Sequence, residues 1–97
     1  MGWEVIALGS IEFVNGASPK KIIYFIDKLI KMEQVINVDK HGLSFVNVEM
    51  SGNKGIDYEN LTALCNECAD IIDGETISFG EYCETGDGFY WERADEL

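Results

Sequence analysis

Three cysteines and one histidine are the residues of this chain best suited to redox or metal chemistry: Cys65, Cys68, Cys83 and His41. Cys65-Asn66-Glu67-Cys68 is a Cys-x-x-Cys pair. In a redox centre such a pair sits at a helix N-terminus, where the dipole lowers a thiol pKa. Here it falls deep in a periodic apolar stripe, where free cysteine packs as a small hydrophobe. A zinc site needs four ligands, and no second Cys-x-x-Cys completes one. The spacing of Cys83 and His41 fits no zinc module. The expectation is packing cysteines, with no metal and no cofactor.

His41 falls in a predicted turn with no nucleophile near it in sequence, which is the setting of an ordinary exposed histidine. The serines lie in no nucleophile-elbow context. Gly86-Asp87-Gly88 is too short for a phosphate loop or an EF-hand. Carboxylates are so abundant that pairs of them carry no information about hydrolysis. These patterns point away from an enzyme.

The signal that remains is acidic and aromatic. Residues 67–97 hold Glu67, Asp70, Asp73, Glu75, Glu81, Glu84, Asp87, Glu92, Asp95 and Glu96 against one base, Arg93. Phe79, Tyr82, Phe89, Tyr90 and Trp91 are interleaved with them. On one helix, Glu67, Asp70 and Asp73 would advance about 4.5 Å per step. Phosphates along a DNA strand advance about 3.4 Å. An acidic ridge of this kind can imitate a phosphate array, with Tyr82, Tyr90 and Trp91 adding stacking contacts. At least one of those aromatics must be core, because strands alternate faces. The candidate partner-binding residues are Glu67, Asp70, Asp73, Glu75, Glu81, Tyr82, Glu84, Asp87, Tyr90 and Glu92.

The net charge of −11 is unevenly divided. Residues 1–50 contribute −1 and residues 51–97 contribute −10. Such a field repels nucleic acid and anionic lipid and attracts basic protein surfaces. Solubility alone accounts for acidity in many small domains, although −11 on 97 residues exceeds the usual magnitude. At this length, with 46% apolar residues, the chain is expected to form one domain over residues 1–97 with a real core. Nothing near Met1 resembles a basic leader, and no apolar run reaches membrane-spanning length. A reduced, cytoplasmic setting is expected.

Trp3 to Val14 reads as a strand with two partly apolar faces, hence a central one. Gly9 within it marks a bulge or a close packing contact. Ser18-Pro19 starts a helix running to Met32 or Glu33, with Ile22, Ile23, Phe25, Ile26, Leu29 and Ile30 on its apolar arc. Val35–Val38 and Leu43–Met50 form a hairpin through Gly42. Residues 51–55 then read as a flexible loop. A second helix runs from an Asp57 cap to Asp73, with Gly74 just past its end. Its apolar stripe is Leu61, Leu64, Cys65, Cys68, Ile71 and Ile72. Glu75–Tyr82 and Phe89–Arg93 are strands about a Glu84–Gly88 turn. The plan is α+β, β-α-β-β-α-β-β, a ferredoxin-like arrangement extended to a five-stranded antiparallel sheet of order 5-4-1-3-2, with both helices on one face.

Lys20 and Lys21 open the first helix, and Asp70 and Asp73 close the second, each against its helix dipole. Paired helix faces would explain this, within one chain or between two. In the second case Lys20, Tyr24, Lys28 and Lys31 meet the acidic helix of another copy in a homodimer. Architecture and charge together resemble small acidic phage-encoded inhibitors of host defence, the anti-CRISPR proteins among them. The acidic face Glu67, Asp70, Asp73, Glu75, Glu81, Glu84 and Asp87 carries that resemblance. It implies a non-enzymatic inhibitor that occupies the basic nucleic-acid groove of a protein complex, without binding nucleic acid or membrane itself.

Overall fold

Alternation along the first strand sets the layers. The computed structural model describes residues 4–82 and 88–94. β1 (Glu4–Glu12) buries Val5, Ala7 and Ile11 on one face. By the pleat it turns Glu4, Ile6, Leu8, Ser10 and Glu12 to the other. β2 (Val35–His41) and β3 (Phe45–Asn53) form the expected hairpin, with Gly42 at φ +58°. Both strands run further than their β-rich cores suggest. Ser51, Gly52 and Asn53 belong to β3 rather than to a loop, because β1 pairs with them through Ile6, Val5 and Glu4. The neighbour satisfies their backbone groups.

α1 (Pro19–Ile30) begins with proline at its first position, and the Ser18 carbonyl accepts the Lys21 and Ile22 amides. The Ser18 side chain makes no capping bond, and the helix ends at Ile30, short of Met32. Its buried stripe is Ile22, Phe25, Ile26 and Leu29. Ile23 and Ile30 are 57% and 58% exposed, contrary to their place on the expected arc. They lie roughly 40–60° further round the helix than Ile26, beyond the reach of the sheet.

α2 (Glu59–Glu67) is much shorter than expected. Asp57 does support its start, accepting the Glu59 amide at 2.9 Å, although Tyr58 is the capping residue. After Glu67 the chain makes one 3₁₀ turn, Ala69–Ile71, and then becomes extended. Ile72 bridges Phe13, and the Asp73 amide donates to the Glu12 carbonyl at 2.9 Å. The end of β1 thus captures the segment that would have been the last helical turn. All six expected stripe residues of this segment are nevertheless buried. Gly74 has the positive φ expected of it, +95°, but it follows the extended Ile72 rather than a helix end.

The expected strand 75–82 changes partner at Phe79. Its first part, β4 (Thr76–Ser78), pairs with β6 (Tyr90–Glu92) in a two-stranded ribbon. Its second part, β5 (Gly80–Tyr82), pairs with β1. The main sheet is antiparallel with order β2-β3-β1-β5. The last strand therefore does not extend it to a fifth position. The Phe79 ring lies where a Cβ on Gly9 would be, 2.5 Å from Phe79 Cε1 and nearer still to its neighbours. Phe79 also meets Phe89 edge-on at 5.3 Å and donates its amide to the Phe89 carbonyl at 2.9 Å. The fold is α+β, with two helices and an antiparallel sheet, and residues of both helices share one core cluster with Ala7, Ile11, Val46, Val48 and Met50.

Arg93 closes the opposite corner. Its guanidinium donates to the carbonyls of Ala69 at 2.8 Å, Ile72 at 2.6 Å and Gly74 at 3.0 Å, and lies 5.6 Å from the Trp91 ring. It gives donors to the carbonyls of Ile72 and Gly74, past the interrupted helix, and a second donor to that of Ala69, which also accepts the Ile72 amide at 3.3 Å.

Gly9→Ala should destabilise the chain by about 1–3 kcal/mol in urea unfolding, the usual cost of overpacking. Shrinking the opposing ring first, in Phe79→Leu, should recover about 1 kcal/mol of that cost in a double-mutant cycle. Strict additivity would show that the ring does not occupy the space over Gly9.

Candidate protein-binding surfaces

The acidic residues singled out in the sequence fall on separate surfaces. Glu67 and Asp70 face α1. The Tyr24 hydroxyl donates to Glu67, and the Lys21 ammonium pairs with Asp70. Lys31 pairs with Asp27 at 2.9 Å, and the Lys28 ammonium lies 5.6 Å from the Tyr24 ring. Much of the complementarity expected between two copies is thus met within one. Lys21 and its hydrogen bond hold the Asp70 carboxyl below its ordinary value, and the same contact raises the Lys21 ammonium. The Tyr24 phenol is raised by its hydrogen bond to Glu67.

The continuous helical ridge of Glu67, Asp70 and Asp73 does not form, because the helix ends at Glu67. Asp73 is exposed beyond the 3₁₀ turn, beside Glu12 and Phe13. Glu75 stands 4.0 Å from Arg93 Nε. Glu81 points inward and accepts the Tyr58 hydroxyl, so it shares no face with Tyr82. On the ribbon, Ile77 and Trp91 are buried, while Thr76, Ser78, Tyr90 and Glu92 form the outer face. Trp91 is the aromatic committed to the core, donating its Nε1–H to Asn66 at 2.8 Å. Tyr82 and Tyr90 are 68% and 61% exposed. Glu84, Asp87 and Cys83 lie outside the described residues.

A surface the sequence did not single out is the helix-free face of the main sheet. Register places Leu8 across from Glu49 and Gly80, Ile6 across from Ser51 and Tyr82, and Ser10 across from Asn47. Asn37 and Asp39 continue these rows on β2. The result is a shallow depression of about 390 Å³ lined by Leu8, Ser10, Asn37, Asp39, Asn47 and Glu49, among others. Ser10 donates to Asn47, and Asn47 lies 3.3 Å from His41 Nε2. That same nitrogen is 2.9 Å from Asp39. His41 therefore ends β2 rather than sitting in a turn, and its ring stacks on Phe45 at 4.4 Å. Asn47 stands between Ser10 and the imidazole, so these residues do not form a nucleophile–base pair.

Cys65 is fully buried and Cys68 nearly so, and both are free thiols. Burial pushes the Cys65 thiol up to about 12, and burial followed by the charges of Glu67 and Asp70 raises Cys68. Neither has the depressed pKa of a reactive cysteine. Among the described residues no three His, Cys, Asp or Glu side chains gather as a metal site. No helix among them is long and apolar enough to cross a membrane. Comparison with family models, curated proteins and solved structures finds no match to the chain.

The Lys21–Asp70 pair gives a pH signature. Asp70 titrates below its unfolded value of 3.8, so its contribution to stability is present above that pH and lost as pH falls through the folded value. Lys21 titrates above 10.5, so its contribution holds below that pH and is lost as pH rises through the folded value. In an NMR carboxyl titration, Lys21→Met should move the Asp70 pKa upward toward 3.8. An unmoved value would mean that the two helices are not paired there.

Proposed function

We propose that this chain is a non-enzymatic, acidic protein-binding domain that occupies a basic surface of the kind that holds nucleic acid, and so inhibits its partner. One observation carries the reading, the segregation of charge. Four of the seven lysines and arginines lie on α1 or at its C-cap, Lys31, and of these Lys21 and Lys31 are engaged by Asp70 and Asp27. The ribbon and the helix-free sheet face keep exposed carboxylates, Glu92 on one and Glu4 and Glu12 on the other. A field of this kind steers the domain toward cationic protein grooves and away from nucleic acid and anionic membrane. Exposed Tyr82 and Tyr90 add the aromatic contacts that anchor such interfaces. The reading includes a cytoplasmic setting. It also takes the main sheet order, β2-β3-β1-β5, as a ferredoxin-like core to which the ribbon is appended.

The test is capture of a partner from nuclease-treated bacterial lysate, followed by competition with DNA or RNA. Nucleic acid should displace the domain, and the combined reversal Glu49→Lys, Glu75→Lys and Glu92→Lys should weaken binding by about tenfold or more, the sum of a few exposed charge contacts. A captured partner that still binds nucleic acid at full affinity while holding the domain would overturn the reading.

A further inference from the structure

We infer that the docking surface is the helix-free face of the main sheet, and that its occupant is a basic amphipathic helix of the partner, an apolar stripe flanked by lysine or arginine. The inference rests on the proposed protein-binding role and names the surface and the chemistry of the partner.

Three features of the face select that occupant. The first is an apolar centre. Leu8 is 42% exposed, Ile6 is half-buried beside it on β1, and Tyr82 lies across from Ile6. Gly80, across from Leu8, leaves open space where a side chain would stand. Ile6 and Leu8 are about 6.8 Å apart along the strand. Side chains four apart on a helix rise about 6 Å, so an i, i+4 pair can lie against both.

The second feature is the sign of the rim. Glu4, Glu12, Asp39 and Glu49 all turn to this face by register. Lys40, the one Lys or Arg within β1, β2, β3 and β5, alternates to the other side, across from Val46. Two of the rim acids are aligned by neighbours: Glu4 accepts the Ser51 hydroxyl and Asp39 contacts His41. Lysine and arginine stems can run over Leu8 and Ile6 while their heads reach the rim.

The third feature is the layer arrangement. α1 and α2 both pack into the core on the opposite side, leaving an outer sheet face for a helix from elsewhere. A second copy of this chain brings its own −11 charge to the encounter, which opposes self-docking.

The experiment is an NMR titration of the ¹⁵N-labelled full chain with a short Lys/Leu peptide patterned as an amphipathic helix, against a peptide of the same composition in scrambled order. Amide shifts should concentrate at Leu8, Asn37, Asn47, Glu49 and Tyr82, with the patterned peptide binding at least about fivefold tighter. Leu8→Glu and Glu49→Lys should each weaken binding about tenfold. Tyr82→Ala, at a 68% exposed position, should weaken it without disturbing the fold, and Asp70→Lys and Glu92→Lys should leave it nearly unchanged. Shifts centred on Glu75, Tyr90 and Glu92 would overturn this surface while sparing the broader role. Equal binding of both peptides, or self-association of the free chain through Leu8, would also overturn it. Failure of every cationic probe to bind would sink the surface and the role together.

Discussion

The contact between Gly9 and Phe79 is the constraint on which the rest of the architecture turns. A residue with no side chain in the central strand leaves a gap, and the aromatic ring fills it. One step before Phe79, Ser78 pairs with Tyr90, and one step after it, Gly80 pairs with Leu8. The ring thus stands where the chain leaves the ribbon and joins the main sheet. It is also fully buried, and it ties Phe89 to the core through an edge-on ring contact and a backbone bond. A side chain at position 9 would compete for the volume that holds these two sheets together.

A second constraint works at the end of β1. Ile72 must bridge Phe13 for β1 to end where it does, and that extended conformation is incompatible with helix. Beyond the early stop of α2, the chain's one arginine donates to the carbonyls of Ile72 and Gly74 and adds a second donor to that of Ala69, which also accepts the Ile72 amide. Arg93 therefore belongs to the fold more than to any charged surface. The acidic residues nearby are redistributed as a consequence: Asp70 stays with α1, Asp73 moves to the β1 corner, and Glu75 faces Arg93.

Charge organisation follows from these packing choices. α1 lies beside α2 and the 3₁₀ turn after it, so Lys21, which opposes the α1 dipole, pairs with Asp70. Exposed pairs of this kind contribute little stability, but they remove like-charge repulsion within each helix. The field left over comes from the surfaces that α1 does not reach.

Local patterns in the sequence determined the element types, the core cysteines, the buried stripe of the second helical segment and the central place of β1. Each depends on periodicity or on a single residue's conformational range, and those are properties of a short stretch. Tertiary structure alone decided where α2 stops, why β3 continues through Ser51–Asn53, which strand the last hairpin joins, and which acids share a face. Glu4, Glu12, Asp39 and Glu49 are distant in sequence and become neighbours only through strand register. Register is settled by packing, here by an aromatic ring over a glycine and by Ile72 against Phe13, and no local pattern encodes such long-range contacts.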